Sequence, residues 1–211
     1  MEDRFYTQAY RLAIFTIVYN LIEGFISVWF GFNDKTLALF GFGIDSFIEV
    51  VSGLGILQMI IRIKLNANTS RNSFEVKALQ ITGYGFYLLS IGLLIGALLN
   101  FYQHRKPDTT FWGIVVSVIS IVVMTWLYKS KIYYGNKLNS KPIIADGRCT
   151  LVCIYMSLVL LGASLIYQLT GFIWADAIGA IGLAWFSYSE GKEALEKAKG
   201  IECCCEDENG K

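Results

Sequence analysis

The chain has 211 residues, of which 55% are hydrophobic and 17% charged, and its mean hydropathy is +0.49. Such a composition is too apolar for a protein that keeps its whole surface in water, and it implies an integral membrane protein. Eighteen Lys and Arg against seventeen Asp and Glu leave a formal charge of +1, so no basic surface argues for nucleic acid as a partner.

Apolar runs of bilayer-spanning length recur almost end to end, over 10–31, 37–61, 78–102, 111–128, 143–167 and 172–190. They are apolar on all sides rather than alternating, and in hydrocarbon only a helix satisfies its backbone within one such segment. The expected fold is therefore an all-α membrane protein, a six-transmembrane-helix bundle, with residues 1–200 as one domain and 201–211 as a short Cys-rich acidic tail. The first run follows Glu2 and Asp3 and exceeds a signal-peptide core, so it should remain as an anchor. Of the basic residues, Lys35, Arg105 and Lys106 fall in loops on one side, and all the others fall opposite or in the terminal segments. That bias puts both termini in the cytoplasm. Short outer connections predict that spans one and two, three and four, and five and six form antiparallel hairpins.

A charged side chain at the centre of a span costs at least ~2.5 to 3.5 kcal/mol, so each needs a partner or a task. Span two carries Asp45 and Glu49 in GFGIDSFIEVVSG, four residues apart and hence on one helical face. No Lys or Arg is expected deep in any span, which leaves a proton or a metal ion as counter-charge; the alternative is a structural pair hydrogen-bonded between helices. Span five carries Cys149 and Cys153 in ADGRCTLVCIYMS with the same spacing. Alone, cysteines in an apolar helix are more often small core residues than ligands. Facing the carboxylates, they would complete a set of two oxygens and two sulfurs suited to Zn²⁺ or Cd²⁺ rather than to Mg²⁺ or Ca²⁺. Because span two runs inward and span five outward, Asp45 should match Cys153 in depth and Glu49 should match Cys149.

These residues resemble the transmembrane domain of the cation diffusion facilitator family. Further stretches of family-like form are NLIEG at Asn20 to Gly24, Ser73 to Ala78, GNKLNS before IIADGRCT, and WADAIGA at Trp174 to Ala180. The resemblance covers residue 10 to about residue 198. It implies six spans and export of Zn²⁺ and related divalent ions in exchange for protons. It also implies metal ligands at Asp45, Glu49, Cys149 and Cys153, where the fifth helix commonly has His and Asp. A homodimer is implied as well, with a transported Zn²⁺ or Cd²⁺ and no prosthetic group. The sequence departs from the family in having Phe42 at an upstream position that is commonly acidic, and in lacking the cytoplasmic domain expected after span six. Softer ligands shift the expected cargo toward Cd²⁺, Hg²⁺ or Cu⁺, with Zn²⁺ kept first as the family's usual ion.

Glu23 in span one reads as part of the ion path, as a proton relay, or as an interhelical hydrogen-bonding group. Asp146, at the cytoplasmic end of span five, reads as an entrance residue, and Asp176 as a helix-start residue. His104, beside Arg105 and Lys106, is expected to be solvated. Cys203, Cys204 and Cys205 lie among acids and read as a cytoplasmic soft-metal collector, a lipidation site, or a tail without a site. Two other functions remain in view: a membrane thiol-disulfide oxidoreductase that cycles Cys149 and Cys153, and a metal sensor that moves no ion. The expected location is the cell membrane, with the lipid bilayer as surroundings.

Overall fold

A computed structural model describes residues 2–65, 73–103, 106–138 and 140–200. Six helices fill it: α1 Glu2–Asn33, α2 Leu37–Leu65, α3 Ser73–Gln103, α4 Phe111–Lys137, α5 Lys141–Thr170 and α6 Ala175–Ala198. At 24 to 32 residues each, they run about 36 to 48 Å against a hydrocarbon core of about 30 Å. Nearly all the excess over the expected spans lies at the end that carries the basic residues. There the helices continue past the apolar runs as charged, water-reaching turns, so α4 keeps its helix through Lys137 instead of ending near residue 128.

Five of the six helices are long and apolar enough to cross a membrane by composition alone. The exception is α6, whose inner face is made of Ala, Gly and Ser with Asp176 at one end and Glu190 toward the other. Small side chains lower its hydropathy, yet they let neighbouring backbones approach closely, which is how helices associate in lipid. The Cβ that Gly83 of α3 lacks would sit 3.0 Å from the carbonyl oxygen of Gly191. Through such contacts α6 lies along α3 for its full length and completes the six-helix membrane bundle.

The helices form a ring in the order α1, α2, α3, α6, α5, α4, with α2 also reaching α5 and α6 across the centre. The expected hairpins of α1 with α2 and of α5 with α6 are present as packed pairs. The third is not: α3 and α4 are joined through residues 104–110 but pack mainly on α6 and α5 respectively. Packing of small residues decides this, since loop length alone cannot. In α1 and α2, a Cβ on Gly43 would come 2.7 Å from the nitrogen of Val28, so glycine is what lets this pair close. Thr110, preceding α4, donates its hydroxyl to the Ser164 carbonyl of α5 (2.9 Å).

One apolar cluster joins Leu39 and Phe42 of α2, Leu93 of α3, Val116 of α4, Leu160 of α5 and Leu183 of α6. Phe42 is buried there, which gives a physical reason for an apolar residue at that position. Large apolar side chains such as Trp29, Leu88, Leu98, Leu169 and Trp185 point outward, as lipid-facing surface requires.

Asp176 does more than begin its own helix. Its carboxylate is buried and accepts the backbone N–H groups of Leu37 (2.8 Å) and Ala38 (3.1 Å), capping α2 from α6. These are orphan donors of a helix start, and water reaches them poorly. Replacing Asp176 by Ala should destabilise the bundle by about 2 kcal/mol, with Asp176→Asn in between because its amide oxygen still accepts. Thermal unfolding in detergent checks the order, and equal midpoints for all three proteins would contradict it.

Candidate functional site

The polar outliers of the sequence meet where α1, α2 and α5 converge, toward the basic end of the bundle. Glu49 of α2 is the common partner. One carboxylate oxygen accepts the amide of Asn20 from α1 (2.7 Å), and the other accepts the thiol of Cys153 from α5 (2.6 Å). Both oxygens of Glu49 are thus engaged by neutral partners from two different helices.

Asp45 lies one turn outward on the same face and is 2% exposed. Its Oδ1 has no hydrogen-bond partner among the described residues, and the same holds for Oδ1 of Asn20. Buried oxygens without a donor are rare and costly. Two of them, one amide and one carboxylate, beside the Glu49 carboxylate make a region that a proton or a cation would stabilise.

Cys149 lies one turn inward of Cys153 and faces α6 instead of α2. The ammonium of Lys197 approaches its sulfur at 3.2 Å and the Glu193 carboxylate at 2.6 Å. Nearby, Lys131 of α4 pairs with Asp146 (3.0 Å) and donates to Thr150 (3.0 Å). Lys131 is 3% exposed, buried among the helices although it stands beyond the apolar run of α4. The expected span ended before Lys131, whereas the helix continues and folds the lysine inward onto Asp146. A small cavity of about 60 Å³ is lined by Asn20, Glu49, Lys131, Cys149, Cys153 and Glu190, among others. It takes ions and a few waters, and nothing of metabolite size.

The observed register differs from the depth count. Glu49, not Asp45, meets Cys153, so α5 is shifted by one turn relative to the expected pairing. Counting from span ends assumes that every run begins at the same plane. In the bundle the height of α5 is set by packing instead, with Ser164 against Gly113 and Ala163 against Gly179. As a result the expected four ligands are spread over three levels, with Glu49 and Cys153 in contact, Asp45 outward and Cys149 inward. Among the described residues, no group of three or more His, Cys, Asp and Glu converges closely enough to hold a metal ion in this arrangement.

Glu23 is buried between α1 and α2, accepting from Tyr19 (2.8 Å) and from Ser46 (3.2 Å). That is the interhelical hydrogen bonding weighed for it. Asp146 is half-buried and engaged by Lys131. Cys203, Cys204, Cys205 and His104 lie outside the described residues. Sequence reading missed Lys131, Lys197 and Glu190 as site neighbours. A signal existed in EGKEALEK, where Glu193 and Lys197 at i, i+4 continue the helix beyond the apolar run and carry Lys197 to the face that also bears Glu190.

Comparison with known proteins agrees with this architecture. The model of the cation efflux transmembrane domain matches residues 12–198. The manganese efflux system protein MneP of Bacillus subtilis is 26% identical over 202 residues, covering 90% of this chain and 67% of that protein. An uncharacterized transporter of Methanocaldococcus jannaschii is 25% identical over 172 residues, covering 80% of this chain and 60% of its own length. The chain thus spans about two thirds or less of the length of these relatives. A matched domain over most of the chain, together with apolar helices ringed around a buried polar centre, makes this a multi-pass integral protein of the cell membrane that belongs to the cation efflux family.

Proposed function

We propose that the protein exports divalent transition-metal cations in exchange for protons, with Glu49 and Cys153 as the centre of the ion site and Asp45 and Cys149 as the ligands on either side. The contact between Glu49 and Cys153 across α2 and α5 carries this reading. It places a carboxylate and a thiol on facing helices beside a cavity of ionic size, with an unpartnered carboxylate oxygen one turn away. Bringing Asp45 and Cys149 onto the same ion requires α2 and α5 to shift against each other by about one turn, a movement of the size that alternating access involves.

Proton exchange follows from the ligands. A metal binds thiolate and carboxylate, so loading displaces the thiol proton of Cys153, and protonation weakens the site. Binding should therefore strengthen as pH rises. Glu23, bonded to Tyr19 and Ser46, is a further buried carboxylate able to take part in proton movement, and Asp146 sits on the cytoplasmic approach. We assign residues 1–200 to transport and the Cys203 to Cys205 tail to metal collection.

The related manganese efflux protein raises Mn²⁺ as a cargo, but sulfur donors favour Zn²⁺ and Cd²⁺ over a harder ion. Zn²⁺ is put first, with Cd²⁺ next. The thiol-disulfide alternative has less support: both cysteines are free thiols, and their sulfurs engage different partners, Glu49 and Lys197.

Flux of Zn²⁺ and Cd²⁺ into proteoliposomes under an imposed proton gradient tests the reading. Glu49→Ala and the Cys149→Ser, Cys153→Ser double variant should each reduce flux by about tenfold or more, at least what removing a supporting group costs a metal site. Full flux without the cysteines would remove sulfur from the site, and no gradient-driven flux in the unaltered protein would favour a sensor. A Cys153→Asp protein, with a harder donor at the same place, should shift the Cd²⁺ to Mn²⁺ preference toward Mn²⁺; an unchanged ratio in competition assays would place selectivity elsewhere.

A further inference from the structure

The Lys197 ammonium lies 3.2 Å from the Cys149 sulfur and 2.6 Å from a Glu193 oxygen, and it borders the cavity that leads to Glu49 and Cys153. Lys131, on the opposite wall, is engaged by Asp146 and Thr150 and contacts no proposed ligand. Lys197 differs in touching a proposed ligand itself. A metal cation binding at Cys149 would come within bonding distance of the same sulfur, and two cations there repel strongly. Its flexible four-carbon stem lets the ammonium swing away while keeping Glu193 in reach. We infer that Lys197 is a tethered internal cation that occupies the inner end of the ion site and that the metal must displace.

Competition of this kind sets an affinity threshold that every divalent ion must clear. Metals that bond sulfur strongly, such as Cd²⁺, regain from Cys149 what displacing the ammonium costs. A harder ion such as Mn²⁺ regains less against the same cost, so its net binding is weaker. When the metal leaves, Lys197 returns to Cys149 and Glu193, so positive charge is never absent from this end of the site. The inference rests on the ion-site reading given above, and Glu193 sets its balance: weakening the hold of Glu193 on Lys197 drives the ammonium further onto Cys149.

The test is equilibrium binding of Cd²⁺ and of Mn²⁺ to the purified protein by calorimetry, with flux measured in parallel, in a chain carrying Cys203→Ser, Cys204→Ser and Cys205→Ser so that only the bundle contributes. Lys197→Gln should lower the Kd for Mn²⁺ and the Kd for Cd²⁺ alike by about tenfold, the order expected from removing one adjacent charge. Glu193→Gln should move both constants the other way. Those opposed shifts support the inference whether or not flux occurs, so loss of flux alone counts against transport and not against the competing lysine. Unchanged constants, or shifts of the same sign in both variants, overturn the inference, and absence of metal binding in the unaltered bundle overturns it together with the ion site.

Discussion

Glu49 sets the terms for this bundle. A carboxyl group within a membrane domain must be answered by partners from the protein, and here one comes from α1 through Asn20 and the other from α5 through Cys153. Holding both at once requires α2 to lie between those helices, and α2 is the element that touches α1, α3, α5 and α6. The ring arrangement and the location of the polar centre are thus two aspects of one requirement. Removing either partner would leave the other bond in place but expose part of the carboxyl group to an apolar surround.

Charge within the bundle varies with depth. Outward of Glu49 lies Asp45, buried with an unanswered oxygen. Inward lie two lysines, one closed off by Asp146 and Thr150 and the other poised on Cys149 and Glu193. These lysines form ion pairs with Asp146 and Glu193, and Glu190 lines the same cavity, so the inner end carries both signs of charge. Sulfur donors beside carboxylates discriminate among divalent ions by how strongly each ion bonds sulfur. The narrow cavity adds a size limit and admits no large ligand.

The helix that would seem least suited to a membrane, α6, connects the two ends of this system. At its outer end Asp176 caps α2 through Leu37 and Ala38, fixing the helix that carries Asp45 and Glu49. At its inner end it supplies Glu190, Glu193 and Lys197 around Cys149. Its small residues let it approach α3 closely at Gly83 and Gly191. A helix that holds α2 from one end and meets α5 at the other is well placed to couple their movements.

Much of this was legible in the residue order. Six helices and their outer ends follow from apolar runs, because a bilayer imposes one length and one allowed backbone on every crossing. Asp45, Glu49, Cys149 and Cys153 stand out for the same reason: polar groups at that spacing conflict with their surroundings. Their relative heights did not follow. The one-turn shift that joins Glu49 to Cys153, the seating of α3 on α6, and the inward turn of Lys131 and Lys197 come from close contacts of Gly, Ala and Ser on particular helix faces. Hydropathy records how apolar a segment is, while depth and rotation depend on which small residue meets which neighbour, and only the packed tertiary structure decides that.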